Sequence, residues 1–564
     1  MQIILDKGIT FKFTNKTDFN IAKDIVLEDL KHENLEYKRS RIKLGIEEYI
    51  YSFEDNYRDL IITIPRGCGE IARRIMNNVY DNKKQLIDKT SKGKDINFKH
   101  KFSPRDNMQI EAVNGFVNDK RKNLILNAIC GFGKTVCALF ILERISKTTL
   151  ILVDENLLLN QWKEAIEFDS NFDINKLGII GNGKEEYIDK DIIIGSKDTL
   201  INRPDIMKYL KENIGFVIVD EAHVASASIF QNVLKELSPN RVLGLTATPK
   251  RSDGLDYLMH EQIGPIYYKA SREELIKIGS VMKPYYIPIL VKRQKYFEEK
   301  LEEYKKEKEK ELSKIVPDKD GKYKIGNRKY KKETWKKKIE ETKYIDMDWN
   351  FLSRTVEQDN KTIKEISKLI KKHYDNNDQS ICICKKIDFA KKYKKELISQ
   401  GVKEEEICLI LGETKVKERN ELIERAKNKD IKIIITSKIL DKGISINSAN
   451  ILFLLYPSKT EANTEQRIGR VSRTSKGKEY AIVYDFIYDH GMFFSQLYKN
   501  NSKEYKECRW NVIKECCVIN KNIEDFIFKM FNYFYKKEKI DTKNIDFNNM
   551  NIKEIYKCNT IWLD

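Results

Sequence analysis

Ala128-Ile129-Cys130-Gly131-Phe132-Gly133-Lys134-Thr135 is the stretch that decides the fold. It follows Leu-Ile-Leu-Asn-Ala at 124–128, which reads as a short buried strand, and precedes residues 136–145, whose apolar side chains recur at helical spacing. A loop between strand and helix with glycines at 131 and 133 lets backbone N–H groups and the helix N-terminus converge on an anion, where a Cβ would obstruct. Lys134 has the reach for the β and γ phosphates of a nucleoside triphosphate, and the Thr135 hydroxyl suits Mg²⁺. A Gly-Lys-Thr at a helix start also arises by chance, so the loop gains weight from a second segment farther along the chain.

Val219-Asp220-Glu221-Ala222-His223 closes a second apolar run, 215–219, one α/β layer downstream. A strand ending in Asp-Glu sets two carboxylates at the carboxyl edge of a sheet, where α/β proteins bind ligands. Asp220 is the candidate Mg²⁺ anchor, through water, because Mg²⁺ keeps much of its hydration shell. Glu221 is the candidate to orient and deprotonate an attacking water. Alone, such a pair reads as a solvated strand end; after a phosphate loop it reads as a catalytic site for nucleoside triphosphate hydrolysis.

The two segments together resemble the superfamily two helicases, the second in its Asp-Glu-Ala-His form. Ala128 replaces the first Gly of the general G-x-x-x-x-G-K-[ST] pattern, and A-x-x-G-x-G-K-T is a form common in that superfamily. Further segments fall in the family's order between about 105 and 485. Residues 151–155 through Gln161-Trp162 resemble its first nucleic-acid-contacting motif, and Ile-Ile-Ile-Gly-Ser196 resembles another. Thr246-Ala247-Thr248 resembles the motif that couples ATP state to domain closure, a role the resemblance also gives His223. Arg467-Ile-Gly-Arg470-Val-Ser-Arg473, preceded by Gln466, resembles the last motif, whose two arginines reach the γ phosphate from a second domain.

The resemblance implies Glu221, Gln466, Arg470 and Arg473 as catalytic residues. It implies ATP binding by the whole 128–135 loop with Gln109 and Gly443, Mg²⁺ held by Thr135 and Asp220, and nucleic-acid contacts at Gln161, Ser196 and Thr436. Arg470 and Arg473 would share one face if their stretch is helical, and a guanidinium stabilises charge on a transferring phosphoryl group. Without the preceding motifs they would read as an ordinary basic helix face. The adenine-reading segment departs from the family's Arg-x-Tyr-Gln: Pro104-Arg105-Asp-Asn-Met108-Gln109 keeps the Gln, lacks the aromatic residue and sets the Arg one residue farther away. Asp441-Lys-Gly443-Ile-Ser445-Ile446 resembles the fifth motif with Ser445 where many members have Asp, as in some phage branch-migration helicases. Residues 246–255 and 263–267 resemble XPB-like helicases and restriction translocases more than the RNA-remodelling DEAD-box group, which favours DNA over RNA by analogy.

Composition sets outer bounds. A chain of 564 residues, 41% hydrophobic, accommodates three or four domains, and a formal net charge of +18 suits a polyanionic partner. The abundance of Lys, Asn and Ile gives charge less weight than any motif, since an AT-rich genome produces the same bias. Ten cysteines scattered from 68 to 558 argue for reduced thiols in a cytosolic compartment and against a disulfide framework. Cys382-x-Cys384 alternates with isoleucines like a core strand. Cys508, Cys516, Cys517 and Cys558 lack a zinc spacing. The opening Met-Gln-Ile-Ile-Leu-Asp-Lys does not read as a secretory signal, and no apolar run reaches spanning length. The expected compartment is bacterial or viral-factory cytosol, or a virion if packaged.

The expected architecture is α/β, with two tandem RecA-like parallel-sheet motor domains. Residues 1–98 read as a small α+β accessory module, in which an aromatic strand followed by Ile-Pro-Arg66-Gly67 makes a nucleic-acid-binding role or a merely structural cap reasonable. The first motor is expected over 99–290 and a Lys/Glu-rich insertion over 291–345, read as two exposed helices around a turn at 317–321. The second motor follows over 346–490, and an aromatic helical tail over 491–564. The function expected is an ATP-dependent DNA helicase or translocase working on duplex or branched DNA, with replication, repair or transcription proteins as partners and no membrane. An RNA-directed motor or transcript-release factor and a non-motor ATP-binding subunit are the rivals. A restriction translocase would need a separate nuclease subunit.

Overall fold

The computed structural model describes residues 1–34, 37, 47–81, 83–223, 228–249, 255–291, 359–384, 386–437, 446–455 and 461–488. Short pieces at 299, 302–303, 306, 323–325, 328–330 and 517–518 are also described. The chain divides into two compact units, Met1–Val281 and Met282–Asp564.

The first unit opens with a five-stranded sheet in the order Glu54–Asn56, Ile61–Pro65, Gly8–Lys12, Gln2–Leu5, Gln85–Asp88. Alternation in Gly8–Lys12 and Ile61–Pro65 turns Ile9, Phe11, Ile62 and Ile64 to one face. There they pack with Phe19, Ala22 and Val26 of the helix Lys16–Leu30 and with Ala72 and Ile75 of the helix Gly69–Asn78. The Asn15 side chain caps the first helix by accepting the Asp18 N–H at 2.8 Å.

The strand end Ile-Pro-Arg66-Gly67 docks this module on the rest of the unit. Arg66 is 8% exposed and donates from Nη2 to the Pro239 carbonyl at 2.8 Å, while the Gly67 N–H donates to the Glu261 carbonyl at 2.8 Å. Burial lowers the Arg66 pKa to about 10. A Cβ at position 67 would lie 2.3 Å from the His260 carbonyl oxygen and 2.5 Å from that of Glu261, so the close approach requires glycine. Beside it His32 Nε2 meets Glu261 Oε1 at 2.6 Å, and its ring stacks on Tyr257 with centroids 3.8 Å apart. Arg66 and Gly67 are both taken up in the junction.

The larger sheet of this unit has eight strands, ordered Lys184–Glu185, Leu177–Gly181, Ile192–Ser196, Thr149–Val153, Phe216–Val219, Arg241–Thr246, Asn123–Ala128, Ile266–Ala270. All its pairings are parallel except that of Lys184–Glu185. Strands buried on both faces read as continuous apolar runs, which is why 149–153 and 216–219 carry no polar alternation. The strand order puts the chain reversals that matter at adjacent carboxyl ends. Phe216–Val219, Arg241–Thr246 and Asn123–Ala128 are consecutive neighbours, with Val219 opposite Gly244 and Thr246 opposite Asn127.

The second unit carries a parallel seven-stranded sheet ordered Ile407–Ile410, Ile433–Thr436, Ser380–Ile383, Ile451–Leu454, Ile482–Tyr488, Tyr285–Val291, Cys517–Val518. The helices Asn360–Asp375 and Ile387–Ser399 contribute Ile366, Ile370, Phe389 and Tyr393 to its core. Two expectations change here. Residues 282–290 were assigned to the first motor, yet Tyr285–Val291 pairs along its length with Ile482–Tyr488. Its Pro288 lies beyond the two-residue contact with Cys517–Val518, where the missing N–H breaks no ladder on that side. In the expected helical tail, the described pair Cys517–Val518 is a strand; the remainder lies outside the described residues. In the expected helical insertion, Tyr323–Ile325 and Arg328–Tyr330 form an antiparallel hairpin, and the described residues 299, 302, 303 and 306 are helical.

Gly67→Ala is expected to destabilise the first unit by roughly 1–3 kcal/mol through overpacking. Gly69→Ala, where an added Cβ meets nothing within 4 Å, should leave the melt unchanged. Thermal melts of the two variants, with limited proteolysis between the accessory sheet and residue 99, check this; equal melts would show that the junction tolerates the extra carbon.

Candidate nucleotide site

The phosphate loop leaves the strand Asn123–Ala128 and enters the helix Lys134–Ile145 through two left-handed glycines, Gly131 at φ 95° and Gly133 at φ 93°. Gly133 is the N-cap and has no side chain to occupy the first-turn N–H groups, which stay available to an anion. A Cβ on it would lie 2.6 Å from Gln109 Nε2. The buried Gln109 amide braces the loop: Nε2 donates to the Phe132 carbonyl at 2.8 Å and Oε1 accepts the Arg105 N–H at 2.8 Å. Arg105 adds guanidinium contacts of 3.4 and 3.3 Å to the Gly131 and Phe132 carbonyls. Gln109, expected to read adenine, therefore has both amide ends engaged with protein. Lys134 Nζ donates to the Ala128 carbonyl at 2.9 Å, folded back over the loop it serves.

Asp220 and Glu221 follow the strand Phe216–Val219. The Glu221 N–H donates to Asp220 Oδ1 at 2.9 Å and the Trp162 indole N–H donates to Oδ2 at 2.8 Å, so both carboxylate oxygens have donors. Burial at the sheet edge and the adjacent Glu221 charge push the Asp220 pKa well above the usual carboxylate range. The Trp162 bond and the Lys134 charge oppose that rise. Glu221 sits at φ 46°, a left-handed backbone uncommon for a residue with a Cβ, which costs on the order of 1–2 kcal/mol. His223 Nδ1 lies 3.3 Å from both Glu221 Oε2 and Thr246 Oγ1. The Thr246 hydroxyl in turn donates to the Thr248 carbonyl at 3.1 Å and accepts its N–H at 3.2 Å. His223, Thr246 and Thr248 thus form one polar relay next to the Glu221 carboxylate.

Lys134, Thr135, Asp220 and Glu221 stand on one edge of one sheet. The donor set, carboxylate and hydroxyl oxygens beside a glycine cradle, fits hard Mg²⁺ and a triphosphate. The candidate nucleic-acid segments leave the same edge from the neighbouring strands Thr149–Val153 and Ile192–Ser196. Gln161 is half-buried on the helix Asn156–Asp169. Ser196 is fully buried, so its side chain is not on the surface that the expected contact requires. Asp154 and Lys197, adjoining these two strands, pair at 3.3 Å.

In the second unit the helix Glu461–Val471 carries Gln466, Arg467 and Arg470, all buried. It ends at Val471, so Arg473 lies beyond it and the two arginines do not share a helix face. Arg473 Nη1 instead reaches Asn447 Oδ1 at 3.4 Å. Lys478, which sequence reasoning missed, sends its ammonium to the carbonyls of Ala449, Val471, Arg473 and Asn447 at 2.6, 2.7, 3.0 and 3.3 Å, closing the C-terminal end of that helix. Burial and the nearby Arg473 charge lower its pKa to about 7. Thr436 is buried and its hydroxyl is bonded to the Ile410 and Ser437 carbonyls at 2.9 and 3.0 Å, again inside rather than on a surface. Gly443 and Ser445, with residues 250–254, lie outside the described residues. Cys68, Cys130, Cys137, Cys382, Cys384 and Cys408 are free thiols, and burial pushes those of Cys137 and Cys408 up to about 12. Among the described residues no cluster of metal-ligating type is present and no helix is long and apolar enough to cross a membrane.

Residues 101–251 match the family model of the type III restriction enzyme res subunit, and residues 361–475 match that of the helicase conserved C-terminal domain. A protein of Sulfolobus islandicus filamentous virus (isolate Iceland/Hveragerdi) designated helicase 22 is 27% identical over 70% of this chain; the match spans 66% of that relative's length. DNA 3'-5' translocase XPB2 of Sulfurisphaera tokodaii is 27% identical over 68% of this chain and 82% of its own. A protein of Escherichia phage T5 designated helicase D10 is 24% identical over 74% and 80%. With the two models matched in order and the nucleotide groups assembled on one sheet edge, the chain carries a type III restriction res-subunit segment followed by a helicase conserved C-terminal segment, and it is similar to XPB translocases and to viral and phage helicases.

Proposed function

We propose that this chain is an ATP-dependent DNA helicase or translocase that remodels duplex or branched DNA in replication, repair or recombination. The observation that carries the reading is the order of strands in the eight-stranded sheet. Carboxyl ends bearing Lys134, Thr246 and Asp220 are consecutive, and those bearing the candidate nucleic-acid segments continue the same edge. One ligand at one end of that edge and a second at the other can then bias the same set of loops.

ATP enters as substrate. The first-turn N–H groups and Lys134 hold its β and γ phosphates, with Lys134 leaving the Ala128 carbonyl for them. Thr135 and Asp220, the latter through water, would hold Mg²⁺, which would neutralise charge on the phosphate oxygens. Glu221 takes the proton of the attacking water, and the His223–Thr246 contact ties its carboxylate to the segment assigned to coupling. The family resemblance assigns charge stabilisation at the γ phosphate to Arg470 and Arg473, with Gln466 beside them. DNA is preferred to RNA as the track because the XPB relative is named a DNA translocase. The net charge of +18 suits phosphate contacts that carry no sequence choice.

Glu221→Gln is expected to lower the turnover of ATP by about 10²–10⁴-fold, the range for losing a positioned general base. Steady-state hydrolysis with single-stranded DNA, duplex DNA, a four-way junction or RNA at matched salt reads the track. Stimulation by RNA alone would replace DNA in the proposal, and hydrolysis unchanged in the variant would remove Glu221 from its role.

The pH profile gives a separate check. Asp220 must be ionised to hold Mg²⁺, and its pKa is raised. The acid limb of kcat/KM for the free enzyme should therefore lie above the ordinary carboxylate range, with activity falling as pH drops through it. Saturating Mg²⁺, which favours the ionised form, should move the limb of kcat to lower pH.

A further inference from the structure

The helix Asn156–Asp169 carries two consecutive residues with different destinations. Trp162 is 1% exposed and its indole N–H ends on Asp220 Oδ2 at 2.8 Å. Gln161, turned by about 100° around the helix, stays half-buried on the segment expected to meet nucleic acid. An indole N–H is a donor only, so this bond supports the carboxylate as an acceptor and fixes where one of its oxygens points. The other oxygen is fixed by the Glu221 N–H at 2.9 Å. The same helix begins just after Asp154, which pairs at 3.3 Å with Lys197 at the start of the second candidate nucleic-acid segment. Lys197, Asp154, the helix, Trp162 and Asp220 therefore form one contiguous run of contacts from the nucleic-acid side of the sheet edge to the nucleotide side.

We infer that Trp162 is a positioning residue through which nucleic acid bound at the helix Asn156–Asp169 sets the Asp220 carboxylate, so that stimulation of ATP hydrolysis by DNA runs through this one hydrogen bond. The inference rests on the DNA-motor reading of the chain. A small rotation of a rigid helix moves a side chain locked on both sides: Trp162 packs with Leu158, Leu159 and Ile166 in the core of the unit, and its polar edge has a bonded partner. In phenylalanine the ring remains but the donor is gone, leaving Asp220 Oδ2 without its indole partner.

The test uses the full chain and its Trp162→Phe variant. Two quantities are measured: the fold-stimulation of ATPase turnover by duplex DNA, and the factor by which a magnesium-bound non-hydrolysable ATP analogue changes DNA affinity at equilibrium. The second reads coupling without turnover, because two ligands that bias one element change each other's affinity by the same factor. For the wild type, coupling of about tenfold is expected, within the usual range, and about onefold for the variant, with its DNA stimulation lost in parallel. A folded variant that keeps wild-type stimulation and coupling overturns the inference while leaving the motor reading intact. A wild type that hydrolyses ATP with no response to DNA overturns the motor reading and this inference together. If Trp162→Phe does not fold, benzothienylalanine placed at 162, with sulfur where the indole N–H was, makes the same deletion at nearly constant ring size and is read by the same two outcomes.

Discussion

A carboxylate at the end of an apolar strand must be held ionised against the low polarity around it, and the first unit is arranged around that constraint. Asp220 follows Phe-Val-Ile-Val with every one of those side chains buried. Its pKa rises because of this burial and because Glu221 is its neighbour. What opposes the rise is a donor on each oxygen, from Glu221 and Trp162, and the charge of Lys134. The strand order makes the last of these available, since only Arg241–Thr246 separates the strand of Asp220 from the strand that launches the phosphate loop. The fold and the chemistry are therefore not independent: a different strand order would leave the same motifs too far apart to support one another.

The phosphate loop solves a related problem in the opposite sense. It must present N–H groups to an anion yet keep its own carbonyls supplied with donors. Gln109 and Arg105 supply Phe132 and Gly131, and Lys134 supplies Ala128. This explains why the glycine at 133 is required twice over. Its φ of 93° suits glycine, and its missing Cβ is the space that the Gln109 amide fills. Gln109 is thereby tied to the loop's shape, so an effect of mutating it on ATP binding would report the brace as well as any contact with a base.

Much of this was legible in the sequence where a local signal coincided with a global one. The loop 128–135 is flanked by a strand pattern and a helix pattern, Asp220-Glu221 ends an apolar run, and the isoleucine-rich runs near 381, 407, 433 and 451 are the parallel strands they read as. Trp162 was legible only as part of a nucleic-acid motif, because the partner of its N–H lies 58 residues away. A buried Trp needs such a partner, and that need was the available signal. Arg66 and Gly67 looked like a binding motif because basic and glycine residues serve interfaces of either kind, and what they face is decided by tertiary packing. Ser196 and Thr436 were expected to contact nucleic acid from motif resemblance; each ends a strand that is buried on both faces, and its side chain is buried with the rest of that strand. Lys478 gave no signal in a lysine-rich chain; only the carbonyls gathered around its ammonium set it apart. Tyr285–Val291 was misassigned because nothing local says which of two sheets a strand after residue 281 will join.

Asp220 and Lys478 show a common cost from opposite directions. Asp220 has a folded pKa above its ordinary value, so the folded state holds the proton more tightly. Its charge therefore weighs on stability above that raised pKa, and the burden lifts as pH falls toward the unfolded value. Lys478 has a folded pKa lowered to about 7, so the unfolded chain binds its proton more tightly. Its burden is full below that value and lifts as pH rises toward 10.5. Near neutrality both groups are mostly charged and each carries most of its burden. There a carboxylate is needed to hold Mg²⁺ and an ammonium is needed to close the end of the helix bearing Arg470. The two buried charges are therefore better explained by the geometry they impose than by any contribution to folding, and the left-handed backbone at Glu221, costly through steric strain, belongs with them.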